Sequence, residues 1–263
     1  MKVSRAACFA LASLAASTCG ALRAQEPSSQ PVRAPTVDRT GWPQPTADDA
    51  LYTFVLVDLL EYQKSREPGT IRWDIYGWYG GDEKRLWVKT EGSQGTARRG
   101  GGDAEVQLLY GQLISPFFDA QAGVRFRRRS GPGHNVTRTY ASLGLQGLAP
   151  YRYELEPTVF ISDRGQVSAR VTATYDQLLS QRLILQPRVE INVAAQPDRR
   201  FGAGAGLNDT ELGLRLRYEV RRELAPYVGV TWKQRYGETK RLARADGEVG
   251  SRVSFVVGVR LWF

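Results

Sequence analysis

Sulfur and imidazole are nearly absent from this chain. Its 263 residues include two cysteines, one methionine and one histidine. Cys8 and Cys19 both fall in an N-terminal stretch that reads as a targeting segment, and the methionine is Met1. The rest of the chain therefore has no disulfide and no thiolate ligand. A zinc site built on clustered His and Cys has no material. A Ser-His-Asp hydrolase needs its His on a rigid element, and His134 lies in the run 130–136, SGPGHNV, which reads as an external loop. Gly202, Gly204 and Gly206 alternate with Ala ahead of a strand, whereas a nucleotide cradle would open a helix. Nothing in this inventory points to an enzyme.

The N-terminus supplies its own address. Lys2 and Arg5 precede an uncharged, Ala-rich run over residues 6–16, with Ala21 and Ala24 suited to cleavage before Gln25. This run is shorter than the roughly 20 apolar residues of a spanning helix, so residues 1–24 read as a secretory signal peptide. Residues 25–50 carry Pro27, Pro31, Pro35, Pro43 and Pro45 among Ser, Thr and Gln, the composition of an extended periplasmic leader. Without the signal segment, 33 basic residues face 27 acidic ones, a net charge of +6. That mild excess is spread along the chain and makes no nucleic-acid patch.

From Leu51 onward the pattern is period-two alternation. In the last segment Val253, Phe255, Val257, Val259, Leu261 and Phe263 share one face; Arg252, Ser254, Val256, Gly258, Arg260 and Trp262 lie on the other. Successive side chains of a strand point to opposite faces, so one face is apolar and the other largely polar. Twelve such segments follow one another: 52–62, 71–79, 84–91, 104–114, 117–127, 138–148, 151–162, 166–178, 182–194, 210–221, 225–236 and 252–263. The first alternates least cleanly, and none carries a helical stripe. Short connections alternate with mostly longer ones, as in outer-membrane barrels with tight periplasmic turns and long external loops. A soluble β-sandwich would also alternate. It would not place charges of both signs deep in mid-strand opposite long rows of Val, Leu, Ala and Tyr. The expected fold is all-β: an antiparallel transmembrane β-barrel over residues 51–263, twelve-stranded and closed by the C-terminal strand. Its membrane is the cell outer membrane.

If the apolar rows face lipid, then Lys89, Glu91, Glu105, Asp119, Arg125, Arg152, Glu154, Glu156, Arg170, Asp176, Arg188, Glu190, Glu211, Arg215, Arg217 and Glu219 point inward. Unpaired, they would be costly, so neighbouring strands should pair them. They form either a network that fills a narrow lumen or a polar pathway for a cation. Trp73, Tyr76, Trp78, Tyr79, Tyr110, Tyr140, Tyr151, Tyr153, Tyr227, Trp232 and Trp262 suit interfacial girdles.

The run 80–92, GGDEKRLWVKTEG, resembles the copper resistance protein B family. So do 107–110 (QLLY), 114–117 (ISPF), 121–125 (QAGVR), 147–151 (GLAPY), 181–188 (QRLILQPR), 211–218 (ELGLRLRY) and 225–227 (APY), in order and at compatible spacing. The resemblance implies an outer-membrane barrel of copper tolerance that binds or passes copper ion, with periplasmic copper-resistance proteins as partners. The alternative is a narrow general channel or structural barrel without copper chemistry. Many members of that family carry a Met- and His-rich leader suited to soft or borderline copper; this leader has neither residue. Cupric ion on inward carboxylates is the remaining route, with Glu105, Asp119, Glu154, Glu156, Glu190, Glu211 and His134 as candidate ligands.

Overall fold

The computed structural model describes residues 50–66, 68–97, 100–131 and 134–263. The signal segment and, Ala50 apart, the leader lie outside the described residues. The alternating segments form one antiparallel sheet. In chain order its strands are Tyr52–Lys64 (β1), Thr70–Gly80 (β2), Lys84–Gly95 (β3), Gly102–Ser115 (β4), Phe118–Gly131 (β5), His134–Ala149 (β6) and Tyr153–Ser162 (β7). Val167–Thr174 (β8), Gln177–Leu178 (β9), Leu183–Ala194 (β10), Gly206–Tyr218 (β11), Leu224–Arg235 (β12) and Ser251–Trp262 (β13) complete it.

Neighbours pair in sequence from β1 to β8, then β10 to β13, and β13 pairs back onto β1 from Leu56↔Trp262 to Lys64↔Phe255. Val55 and Phe263 exchange two backbone hydrogen bonds of 3.0 and 2.9 Å beside that seam. The result is a closed ring of twelve strands. β9 is an extra two-residue strand outside the ring, bonded to β10 alone, so the segment expected over 166–178 is interrupted after Thr174. Closure removes both sheet edges and satisfies the backbone within the sheet, which hydrocarbon requires.

The ring is inside out relative to a soluble protein. Val106, Leu108 and Tyr110 on β4, and Leu212, Leu214 and Leu216 on β11, are exposed. The side chains between and beside them, Glu105 and Gln107, Glu211, Arg215 and Arg217, are buried. Burying charge while exposing leucine is favourable where the surroundings are lipid. No helix among the described residues is long and apolar enough to cross a membrane; the strands do the crossing.

β1 alternates poorly because it is bulged. Its register against β2 jumps from Val57↔Ile75 to Leu59↔Asp74, leaving Asp58 as the extra residue. Buried positions change from even, Leu56, to odd, Leu59 and Glu61. A bulge of this kind lets two residues oppose one and increases the local twist.

Three expectations change. One helix does form, Gly237–Ala245 (α1), beyond β12. Thr239 and Ala243, four residues apart, bury one face, while Glu238 in the first turn and Arg244 in the last complement the helix dipole. His134 begins β6, paired with Gly131, because the β5–β6 hairpin continues past the expected strand ends. Tyr140 and Tyr227 are buried in the lumen rather than set in a girdle. Exposed aromatics do gather at the short-turn end, where Tyr52, Tyr79, Phe117, Tyr151, Tyr153, Trp262 and Phe263 lie, as an interfacial belt would.

Deleting Asp58 should leave Leu56, Leu59 and Glu61 on their present faces, so the variant should still fold to a compact, heat-resistant barrel, read from its mobility on unheated gels. Inserting one alanine after Leu59 should instead turn Glu61 toward lipid and orphan Arg215, costing about 3–5 kcal/mol. An insertion as stable as the deletion in urea titration would refute this account of β1.

Candidate functional site: the ion-paired lumen

The inward rows meet each other across the ring. Arg72 on β2 donates to Glu91 on β3 (3.2 Å), to Glu190 on β10 (3.1 Å) and to Glu211 on β11. β2 and β10 stand five strands apart in a ring of twelve, so the Arg72–Glu190 bond crosses nearly the full lumen. Arg170 on β8 completes the crossing from the other side, reaching Glu91 (2.5 Å) and both carboxylate oxygens of Glu105 on β4 (3.1 and 3.2 Å). Arg125 on β5 binds Glu105 as well. Arg125, Glu105, Arg170, Glu91 and Arg72 form a continuous belt of alternating charge that ends on Glu190 and Glu211, both held by Arg72. Solvent scarcely reaches it: the side chains of Arg72, Arg125, Glu105 and Glu190 are 8%, 3%, 3% and 6% exposed.

One step nearer the short turns, Arg188 on β10 donates to Asp74 (2.9 Å) and to the bulge residue Asp58 (3.3 Å). Asp58 also pairs with Arg260 on β13 at 3.0 Å. Glu61 receives two bonds from Arg215 (2.9 and 3.0 Å) and one from the Tyr227 hydroxyl (3.1 Å). That pair is the most enclosed, at 1% and 0% exposure. Toward the long loops, Arg127 pairs with Asp103 (2.8 Å) and Arg138 with Asp198 (2.7 Å). Their guanidinium groups lie 5.3 and 5.4 Å from the ring centroid of Phe201, which the loop between β10 and β11 buries between them. Desolvated guanidinium groups over an aromatic face gain cation–π attraction.

The candidate ligands fall into two groups. Glu105, Glu190 and Glu211 belong to the belt and are held by arginine. Asp119, Glu154 and Glu156 lie toward the short turns. Asp119 takes Arg85 at 3.0 Å and Glu156 takes Lys89 at 2.5 Å. Glu154 accepts from the Thr174 hydroxyl (3.4 Å) and has no ion-pair partner among the described residues. His134 stands at the far, long-loop end of β6, so the structure does not bring it to that group. Among the described residues, no three His, Cys, Asp or Glu side chains converge as a metal cage. Of the other residues expected inward, Arg152 is exposed in the turn after β6, and Glu219 lies beyond β11. Asp176 is half exposed and pairs with Arg217 (2.7 Å).

Four central members were missed: Asp58, Glu61, Arg72 and Asp74. The signal for Arg72 and Asp74 is present, since they alternate with Ile71, Trp73 and Ile75. Aromatics on both faces of β2 blur it. Asp58 and Glu61 are hidden by the bulge.

The family model described as copper resistance protein B precursor matches residues 51–263, the entire ring. The chain belongs to the copper resistance protein B family. It is 46% identical over 218 residues to copper resistance protein B of Escherichia coli, covering 82% of this chain and 71% of that protein. It is 43% identical over 216 residues to the copper resistance protein B homolog of Pseudomonas syringae pv. tomato (strain ATCC BAA-871 / DC3000), with the same coverage. Among solved structures it resembles the NanC porin, with a TM-score of 0.51 and 14% identity over 80% of this chain and 99% of that one; the likeness is one of fold. Inside-out barrel and family together place this copper resistance protein B relative in the outer membrane.

Removing one member of an enclosed pair leaves the other charged and unsolvated. Arg215→Met should lower stability by about 3–5 kcal/mol in urea titration, and adding Glu61→Leu should recover most of the loss. Equal stability of the single and double variants would contradict this pairing. The belt also obstructs the lumen. Arg72→Ala with Arg170→Ala should raise single-channel conductance severalfold above wild type in planar bilayers; an unchanged current would show that the belt is not the obstruction.

Proposed function

We propose that the chain contributes to copper resistance by binding or passing copper ions at the outer membrane, without enzyme activity of its own. The match of the family across the whole ring, residues 51–263, carries this reading. Copper is best regarded as cargo. The belt carboxylates are already satisfied by arginine, and the described residues do not assemble a cage for a resident ion. The short-turn half is better suited to a passing cation. Glu154 and Glu156 share one face of β7, and among the described residues Glu154 has no competing cation within pairing distance. Carboxylates are hard ligands that accept cupric ion more readily than cuprous ion. Delivery to or from this half falls to periplasmic copper-binding proteins docking at the short turns or at the leader.

A second reading, a structural barrel without copper chemistry, is favoured by one observation: a lumen spanned by its own ion pairs is rigid and filled. Complementation separates the two. A strain lacking the gene should grow poorly in copper, the wild-type gene should restore growth, and Glu154→Gln with Glu156→Gln should restore it only in part. Full restoration by the double variant would remove these carboxylates from the route. Unchanged growth of the deletion strain in copper would remove the copper reading altogether.

A further inference from the structure

The two rims of the barrel differ in charge. At the short-turn end, five exposed Lys and Arg side chains are nearly balanced by four exposed Asp and Glu among the described residues. At the long-loop end, eight exposed cations face two exposed acids, Asp163 and Asp246, among the described residues. The excess is spread over four places at that end. Lys64 and Arg66 lie at the β1–β2 connection, Arg128 on β5, Arg164 at the β7–β8 turn, and Arg241 and Arg244 on α1. None of these six has an ion-pair partner among the described residues. They are cations that the lumen network has not consumed.

Two of them report which way they face. On β5 the exposed outward row is Ala122, Val124, Phe126 and then Arg128. On β1, past the bulge, it is Leu60, Tyr62 and then Lys64, and Lys64 pairs in register with outward Phe255. Each cation is the next outward position beyond an exposed aromatic, about 7 Å further along the strand. Aromatics mark the polar boundary of the hydrocarbon, so Lys64 and Arg128 stand at headgroup depth on the lipid side. Their stems can lie along apolar surface while the charge reaches outward.

We propose that this rim binds the phosphate groups of a phosphorylated glycolipid in the outer leaflet. The partner is a lipid because Lys64 and Arg128, on strands well separated round the ring, both sit on lipid-facing rows. It carries phosphate because guanidinium and ammonium groups at a membrane surface attract anionic headgroups, and arginine forks match phosphate oxygens.

The test uses the full chain refolded in neutral detergent and titrated with purified lipopolysaccharide, with the same glycolipid after phosphate removal, and with inorganic phosphate. Binding is read from co-migration on native gels and from the thermal midpoint. Intact lipopolysaccharide should bind and raise the midpoint, while the dephosphorylated form should bind about tenfold more weakly, each surface cation contributing to the attraction. Millimolar inorganic phosphate should not compete. A variant with Lys64, Arg128, Arg164, Arg241 and Arg244 changed to Gln should fold, as judged by its heat-resistant mobility, and should lose the phosphate preference. Equal binding of both glycolipids, competition by free phosphate, or an unaltered preference in the variant would each overturn the proposal.

Discussion

Within the hydrocarbon a strand turns its charged side chains toward the lumen, and in a lumen as filled as this one most of them are neutralised by a partner. In a ring of twelve strands, long side chains from nearly opposite walls can touch. Arg72 and Arg170 use that reach to tie β2, β3, β4, β8, β10 and β11 into one belt. The barrel is thus held by two systems at right angles: a backbone ladder around the wall, and ion pairs through the middle. The second explains why so many charges occur in mid-strand without making a wide pore.

The wall was largely legible in the sequence. Alternation located all twelve ring strands, and the alternation of short and longer connections gave their up-and-down order. The interior was legible only in part. Which face is charged follows from period two, but which charge meets which depends on ring size and register, as Arg72 and Glu190 show by pairing across 118 residues of sequence. Asp58 defeats the period itself, since one extra residue switches the buried parity of β1. The helix after β12 escaped because its nine residues bury little more than Thr239 and Ala243.

The same economy of charge bears on copper. A divalent ion entering the belt would have to displace arginine from Glu105, Glu190 or Glu211, whereas at Glu154 it meets a carboxylate held by a hydroxyl. One carboxylate, Glu154 toward the short turns, is therefore less committed than those of the belt at mid-depth. Under the copper role proposed above, Glu154 is the place along the barrel where an entering ion would meet least competition.

The seam between β1 and β13 joins Tyr52–Lys64 to Ser251–Trp262, nearly 200 residues later in the chain. Contacts so distant in sequence form slowly, because the loop must be closed before the contact rewards it. A length of this chain that stops short of β13 cannot make this seam. Until β13 arrives, β1 remains an unpaired edge, and the apolar rows and half-assembled belt have neither lipid nor partner. An unclosed length of this chain is thus a template for other strands, and closure is what makes the molecule self-limiting.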